Sequence, residues 1–150
     1  FQERPMPFLD QATRWATNKM PSVIGPRAHA IIDYAMAASF FGMAVVLWGR
    51  REKRAALCSL GCGAAETTLA LLTDYPGGLT DAISFETHGS IDFGLTGLIA
   101  SLPSMMRFSD QPESRFFHMQ GMAMAAVTGL TDFTGTGERS QMERVDERAA

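Results

Sequence analysis

Lysine is almost missing from this chain: Lys19 and Lys53 are the two in 150 residues. Lys and Arg together number 13 against 16 Asp and Glu, a formal charge of −3, and no long basic run exists. A near-neutral chain without such a run is a poor nucleic-acid binder, so no nucleic-acid partner is expected. Cysteine is as scarce. Cys58 and Cys62 lie four apart, which excludes a disulfide-stapled secreted scaffold, and four-apart thiols on a helix are poorly placed to bridge each other. Charged residues of either sign make up 19%, below the roughly 25% of an ordinary soluble domain. G-x-S-x-G, P-loop, H-E-x-x-H and C-x-x-C patterns are all missing, so no common enzyme signature is present and no catalysis is expected.

What is present is a single domain's length of chain, 46% apolar, rich in Gly (14), Met (10) and Phe (10). Its charges are clustered. Sixteen uncharged residues separate Asp33 from Arg50, 14 separate Asp92 from Arg107, and 16 separate Arg115 from Asp132. Eleven lie between Arg54 and Glu66, and seven more lead to Asp74. Each stretch is apolar all round, the mark of a buried core helix or a membrane span. Crossing a bilayer takes about 20 residues. The stretches reach that length when His29, Asp33, Glu66, His88 and Asp92 are counted inside. Four such helices leave almost no polar face for water. The expected fold is all-α: a four-transmembrane-helix bundle with spans near 28–49, 55–73, 88–106 and 115–132. A soluble bundle of core helices is the alternative.

Pro26 suits the first turn of the first helix, where its missing N–H would be unpaired anyway. Arg50-Arg51-Glu52-Lys53-Arg54 is a tight polar turn. Tyr75-Pro76-Gly77-Gly78 ends the second helix, and Pro103 is expected to kink the third or end it early. In segment 1–25, Phe8, Leu9, Ala12, Trp15 and Ala16 fall on one helical face beside Arg14 and Lys19, fit for a membrane interface or a partner protein. Residues 134–150 form a polar tail, expected to be disordered alone. The sequence opens on Phe1 rather than Met, as a processed or truncated chain would.

The chain repeats itself. His29-Ala30-Ile31-Ile32-Asp33-Tyr34 matches His88-Gly89-Ser90-Ile91-Asp92-Phe93 at an offset of 59. Leu72-Thr73-Asp74-Tyr75 matches Leu130-Thr131-Asp132-Phe133 at 58, and Gly63 and Ala65 match Gly121 and Ala123. The domain 26–133 thus holds two tandem helical hairpins, 26–75 and 85–133. Repeats with an even number of spans are parallel, related by an axis along the membrane normal.

A unit of H-x-x-[IL]-D-[YF] opening one helix and L-T-D-[YF] closing the next resembles the SPW-repeat family of small bacterial integral membrane proteins. The likeness covers roughly 26–133 and is densest from Thr73-Asp74-Tyr75 through His88, Asp92, Gly97 and Pro103 to Phe108. It implies four transmembrane helices in two repeats, a multi-pass protein of the bacterial inner (cytoplasmic) membrane, and no particular activity. The Ser-Pro-Trp tripeptide that names the family is absent. Gly42-Met43-Ala44 and Leu102-Pro103-Ser104 stand near its place.

His29 and Asp33 share a helix face, as do His88 and Asp92. Both pairs lie in first turns, while Asp74 and Asp132 lie at the ends of the even-numbered helices. In an up-down-up-down bundle these six gather at one end. Structurally, they are expected to staple the hairpins. Asp74 and Asp132 sit at helix C-termini, where negative charge is disfavoured, and His29 or His88 across the hairpin is a natural partner. Functionally, His with carboxylate suits a divalent metal such as Zn, Mn or non-haem Fe, and a span His can ligate haem or a chlorophyll-type pigment. Ionisable groups at membrane depth also suit a proton relay. Glu66 lies about 12 Å inside the second span, at eight residues of 1.5 Å each from Asp74, and its repeat counterpart is Met124. His118, four residues from Met122, is a further candidate ligand, for a soft-ligand copper site, or else a hydrogen-bonded span residue. Gly61 and Gly63 beside the cysteines suggest close helix packing.

The expected function is that of a non-catalytic accessory or scaffolding subunit of a larger membrane complex, with lipid and other subunits as partners through the two termini. The alternatives are a cofactor-binding subunit in electron transfer or photosynthesis, and a metal-binding or proton-coupled membrane protein. The 50–54 turn carries four Lys/Arg in five residues, whereas 74–87 carries none. The positive-inside rule then puts the turn in the cytoplasm and the termini outside, with the His/Asp end.

Overall fold

The structure, a computed structural model, describes residues 22–134. Most of the expected interfacial segment, and the polar tail beyond Thr134, lie outside the described residues. Four helices and no strand occur among those described: α1 (Pro26–Gly49), α2 (Lys53–Leu72), α3 (Phe85–Met105) and α4 (Ser114–Leu130). Each end falls within three residues of the expected position. The sequence dictates these ends locally. Pro26 opens α1 at its first turn. Ser84 caps α3, its hydroxyl accepting the Thr87 backbone N–H at 3.2 Å, which satisfies one of the donors a helix start leaves unpaired. α3 does not stop at Pro103 but runs two residues further, to Met105.

α1 packs along α2 and α3 along α4, while backbone contact between α2 and α3 is sparse. The helices of one hairpin thus meet those of the other mainly through side chains. Both hairpin turns close alike. Glu52 N–H reaches back to the Leu47 carbonyl and Phe108 N–H to that of Pro103. Arg51 and Arg107 hold the left-handed conformation at φ 66° and 58°. This six-to-one closure normally uses glycine at the left-handed position. Gly77, at φ 119°, is where the 73–84 connection does need glycine.

Short backbone bridges tie the hairpins at the opposite end. Ile24 pairs with Thr131 and Ile83 with Thr73, so the residue two before each odd helix meets the residue that follows an even one. The interior holds Phe40, Leu47, Ile99, Phe117 and Met124. The same interior also buries His29, Asp33, Glu66, His88 and Asp92, whereas Ile31, Val45, Phe93 and Met122 are more than two-thirds exposed. By length and composition, α1 and α2 are apolar enough to cross a membrane.

Candidate metal centre

α1 and α3 each bring one His and one Asp from their first two turns to a common point. His29, Asp33, His88 and Asp92 are all buried, and one ligand atom from each lies within 4.8 Å of the others. His29 Nε2 stands 3.4 Å from Asp33 Oδ1 and 3.2 Å from Asp92 Oδ2. His88 Nε2 stands 3.3 Å from Asp33 Oδ2 and 3.1 Å from Asp92 Oδ2. The two Nε2 atoms are 3.2 Å apart. Each histidine therefore meets both carboxylates.

The other ring nitrogens settle the protons. His29 Nδ1 lies 2.8 Å from Thr131 Oγ1, and His88 Nδ1 lies 2.8 Å from Thr73 Oγ1. Each hydroxyl already donates its single hydrogen to a backbone carbonyl one turn back, Thr131 to Val127 and Thr73 to Leu69. A carbonyl only accepts, so each threonine oxygen must accept from the ring, and Nδ1 carries the hydrogen on both histidines. In the neutral ring Nε2 is then a bare lone pair. With both rings neutral, two such lone pairs and two carboxylates converge in a buried space, and no Lys or Arg among the described residues pairs with them.

A positive charge at this point would balance the two carboxylates, and either a proton or a metal ion could supply it. Protonating both rings at Nε2 would aim two N–H groups at each other across 3.2 Å. Charge-assisted N–H···O contacts also run about 2.7–2.9 Å, shorter than all four His–Asp distances. A proton on one ring alone, or one divalent ion, avoids the N–H clash. With metal–ligand bonds of about 2.0–2.1 Å, the edge of a tetrahedron is about 3.3–3.4 Å; the separations among His29, His88 and Asp92 are near that, and the full set with Asp33 lies within 4.8 Å. Nδ1–H bonded to a fixed acceptor is also the usual support for a metal-binding imidazole. This buried group can hold a metal ion. A macrocycle does not fit between nitrogens 3.2 Å apart, and the void lined by Asp33, Glu66, Asp92 and Thr128 measures only about 10 Å³.

No family model, curated protein or solved structure matches the chain. The chemistry of the centre stands on its own atoms.

Of the six residues expected at this end, four form the centre. Asp74 is exposed. Asp132, half-buried, accepts from the Thr134 backbone and hydroxyl. The threonine beside each aspartate takes the role expected of the acid, because its hydroxyl reaches the ring while satisfying its own helix end. The bonds also run between hairpins rather than within them: Thr131 of the second holds His29 of the first, and Thr73 of the first holds His88 of the second. The repeated Thr in L-T-D was the available signal.

The two halves are not identical. Tyr75 donates its hydroxyl to Asp33 Oδ2 at 2.8 Å, and its burial, together with the charge of Asp33, pushes the phenol above its ordinary pKa. Phe133 stands at the matching place in the second half, and Asp92 Oδ1 is buried without a partner among the described residues. Glu66, 3% exposed, lies beside the centre with its Oε1 also unpartnered. His118 is exposed, as is Met122, and His118 joins no ligand group among the described residues. Cys58 and Cys62 are free thiols. Gly63 does serve packing, with the Phe41 ring 3.1 Å from where a Cβ would stand, whereas Gly61 has nothing within 4 Å.

Proposed function

We propose that this chain is a four-span membrane protein whose two hairpins are clasped by one divalent metal ion, held by His29, Asp33, His88 and Asp92, and that it serves as a non-catalytic subunit of a larger bacterial membrane assembly. The observation that carries the metal is the convergence of two Nε2 lone pairs, fixed by Thr73 and Thr131, on two buried carboxylates. All four protein ligands face one another in a site closed to solvent. Structural metal sites have that form, whereas catalytic ones keep a position open for water or substrate. Two nitrogen and two carboxylate donors suit zinc, with manganese and ferrous iron as the competitors for this donor set. When bound, the ion supplies the positive charge that the four acceptors share.

The four-span arrangement is supported by the inverted distribution of side chains. Ionisable groups lie inside, and large apolar ones such as Ile31, Val45, Phe93 and Met122 face outward. In water such a surface marks an interaction or membrane site.

The test is elemental analysis of the full chain purified in mild detergent. About one equivalent of zinc per chain is expected, lost in the double variant H29A/H88A. A metal-free wild-type chain that takes up no zinc, manganese or ferrous iron on titration would overturn the proposal.

A further inference from the structure

Asp33, Glu66 and Asp92 are the buried acids among the described residues, and the repeat accounts for only two of them. Asp33 and Asp92 occupy matching places. Glu66 on α2 matches Met124 on α4. All four line the small void beside the metal centre, together with Thr128. The void thus sits where the two halves meet, and there a carboxylate stands opposite a thioether. Glu66 also borders a larger space between α2 and α3, but that space presents only apolar surface, whereas the small void presents polar surface as well. The stem of Glu66 therefore faces the first and its carboxylate the second.

Two carboxylate oxygens of the residues around this void are buried without a hydrogen-bond partner among the described residues, Glu66 Oε1 and Asp92 Oδ1. Oδ1 is the Asp92 oxygen that the histidines do not use, since both rings meet Oδ2. Glu66 and Asp92 are each 3% exposed, so water outside the protein does not serve them. Three buried carboxylates side by side are costly unless cations join them. One divalent ion in the clasp offsets two of the three charges. No Lys or Arg among the described residues pairs with the centre. A proton on Glu66 would cancel the remaining charge but would not fill the space.

We propose that this void binds one monovalent cation of sodium's size, held by Glu66, Asp33 and Asp92 Oδ1, with Asp92 bridging it to the metal ion through Oδ2. The donors set the chemistry, since hard cations take oxygen ligands, carboxylates prominent among them. The volume sets the size. About 10 Å³ is at the lower limit of what one water molecule needs, about 10–15 Å³, so the ion enters without its hydration shell and the larger potassium ion is disfavoured. The charge sets the valence, because a single negative charge is left over. That charge count rests on the metal reading, whereas the two orphaned oxygens and the void do not.

The test is binding of a radioactive sodium tracer to the full chain in mild detergent, with zinc content assayed on the same samples. One saturable site per chain is expected, displaced by sodium and lithium, weakly by potassium and not by choline. E66Q, which removes the charge and keeps the shape, should weaken sodium binding about tenfold or more while keeping about one equivalent of zinc. Sodium bound instead in the His/Asp centre would be lost in H29A/H88A and kept in E66Q, and that result would overturn the proposal. Zinc on the wild-type chain without saturable sodium binding would also overturn it, even if E66Q fails to fold, and would leave the clasp standing. Sodium binding that depends on Glu66 in a chain without zinc would support this site and overturn the clasp alone.

Discussion

Phe133→Tyr should make this protein more stable, although it places a hydroxyl in a buried aromatic cluster. Tyr75 and Phe133 occupy matching places in the two hairpins. The Tyr75 ring centroid lies 5.4 Å from that of His88, and the Phe133 centroid 5.3 Å from that of His29. Tyr75 satisfies Asp33 at 2.8 Å, while Asp92 Oδ1 has no partner among the described residues. A phenol at 133 adds the missing donor without adding a rotatable side-chain carbon torsion. Relief of a buried unpaired acceptor is worth about 1–3 kcal/mol, and a net hydrogen bond about 1, so a gain of about 1 kcal/mol is expected. At this chain length that corresponds to about 3–5 °C in Tm. The reverse change, Tyr75→Phe, should cost about 1–3 kcal/mol, and the exchanged double variant should return close to wild type. The assay is thermal unfolding in detergent after chelator treatment in sodium-free buffer, so that no ion contributes. If F133Y gains nothing while Y75F is clearly destabilised, the two halves are not interchangeable around the carboxylates and the symmetry reasoning fails.

Thr73→Val and Thr131→Val keep shape but remove the acceptor that orients each ring. Each should weaken metal binding about 10–100-fold, read by competition with a chromogenic chelator; unchanged affinity in both would show that the hydroxyls do not position the ligands. Gly89→Ala puts a Cβ 2.7 Å from the Phe133 ring and should cost about 1–3 kcal/mol through overpacking; a neutral result by thermal unfolding would mean the ring moves aside freely. For membrane orientation, Gly78 is a poor place for a reporter thiol because its Cβ would collide with the Thr73 carbonyl. Leu79, 77% exposed, serves instead. In a chain lacking Cys58 and Cys62, L79C should react with an impermeant maleimide on intact cells, and protection until lysis would invert the topology.

The four helices were legible because uncharged runs bounded by Arg and Asp leave few other solutions, and Pro26 and the 50–54 turn mark their ends. The centre was legible to the extent that it repeats: His29 with Asp33 and His88 with Asp92 share faces by spacing alone. Two things were not. Asp74 and Asp132 drew attention as charged groups needing partners, whereas Thr73 and Thr131 supply the contact, because a hydroxyl can serve a carbonyl and a ring at once. Repeat spacing also cannot tell whether a bond closes within a hairpin or between hairpins, since both satisfy the same pattern.

Because each hairpin carries one His, one Asp and one Thr, and each Thr serves the other hairpin's ring, neither half can complete the centre alone. A single hairpin of this design would have to find a second copy of itself, and the reciprocal contacts are those of a two-fold symmetric dimer. Joining the halves through residues 73–84 releases them from identity. Once both are on one chain, a change in one half is no longer made twice. Tyr75 with Phe133, and Glu66 with Met124, are pairs that a homodimer could not have held apart. On one chain the two sides of the clasp are distinguishable, one flanked by Tyr75 and Glu66 and the other by Phe133 and Met124.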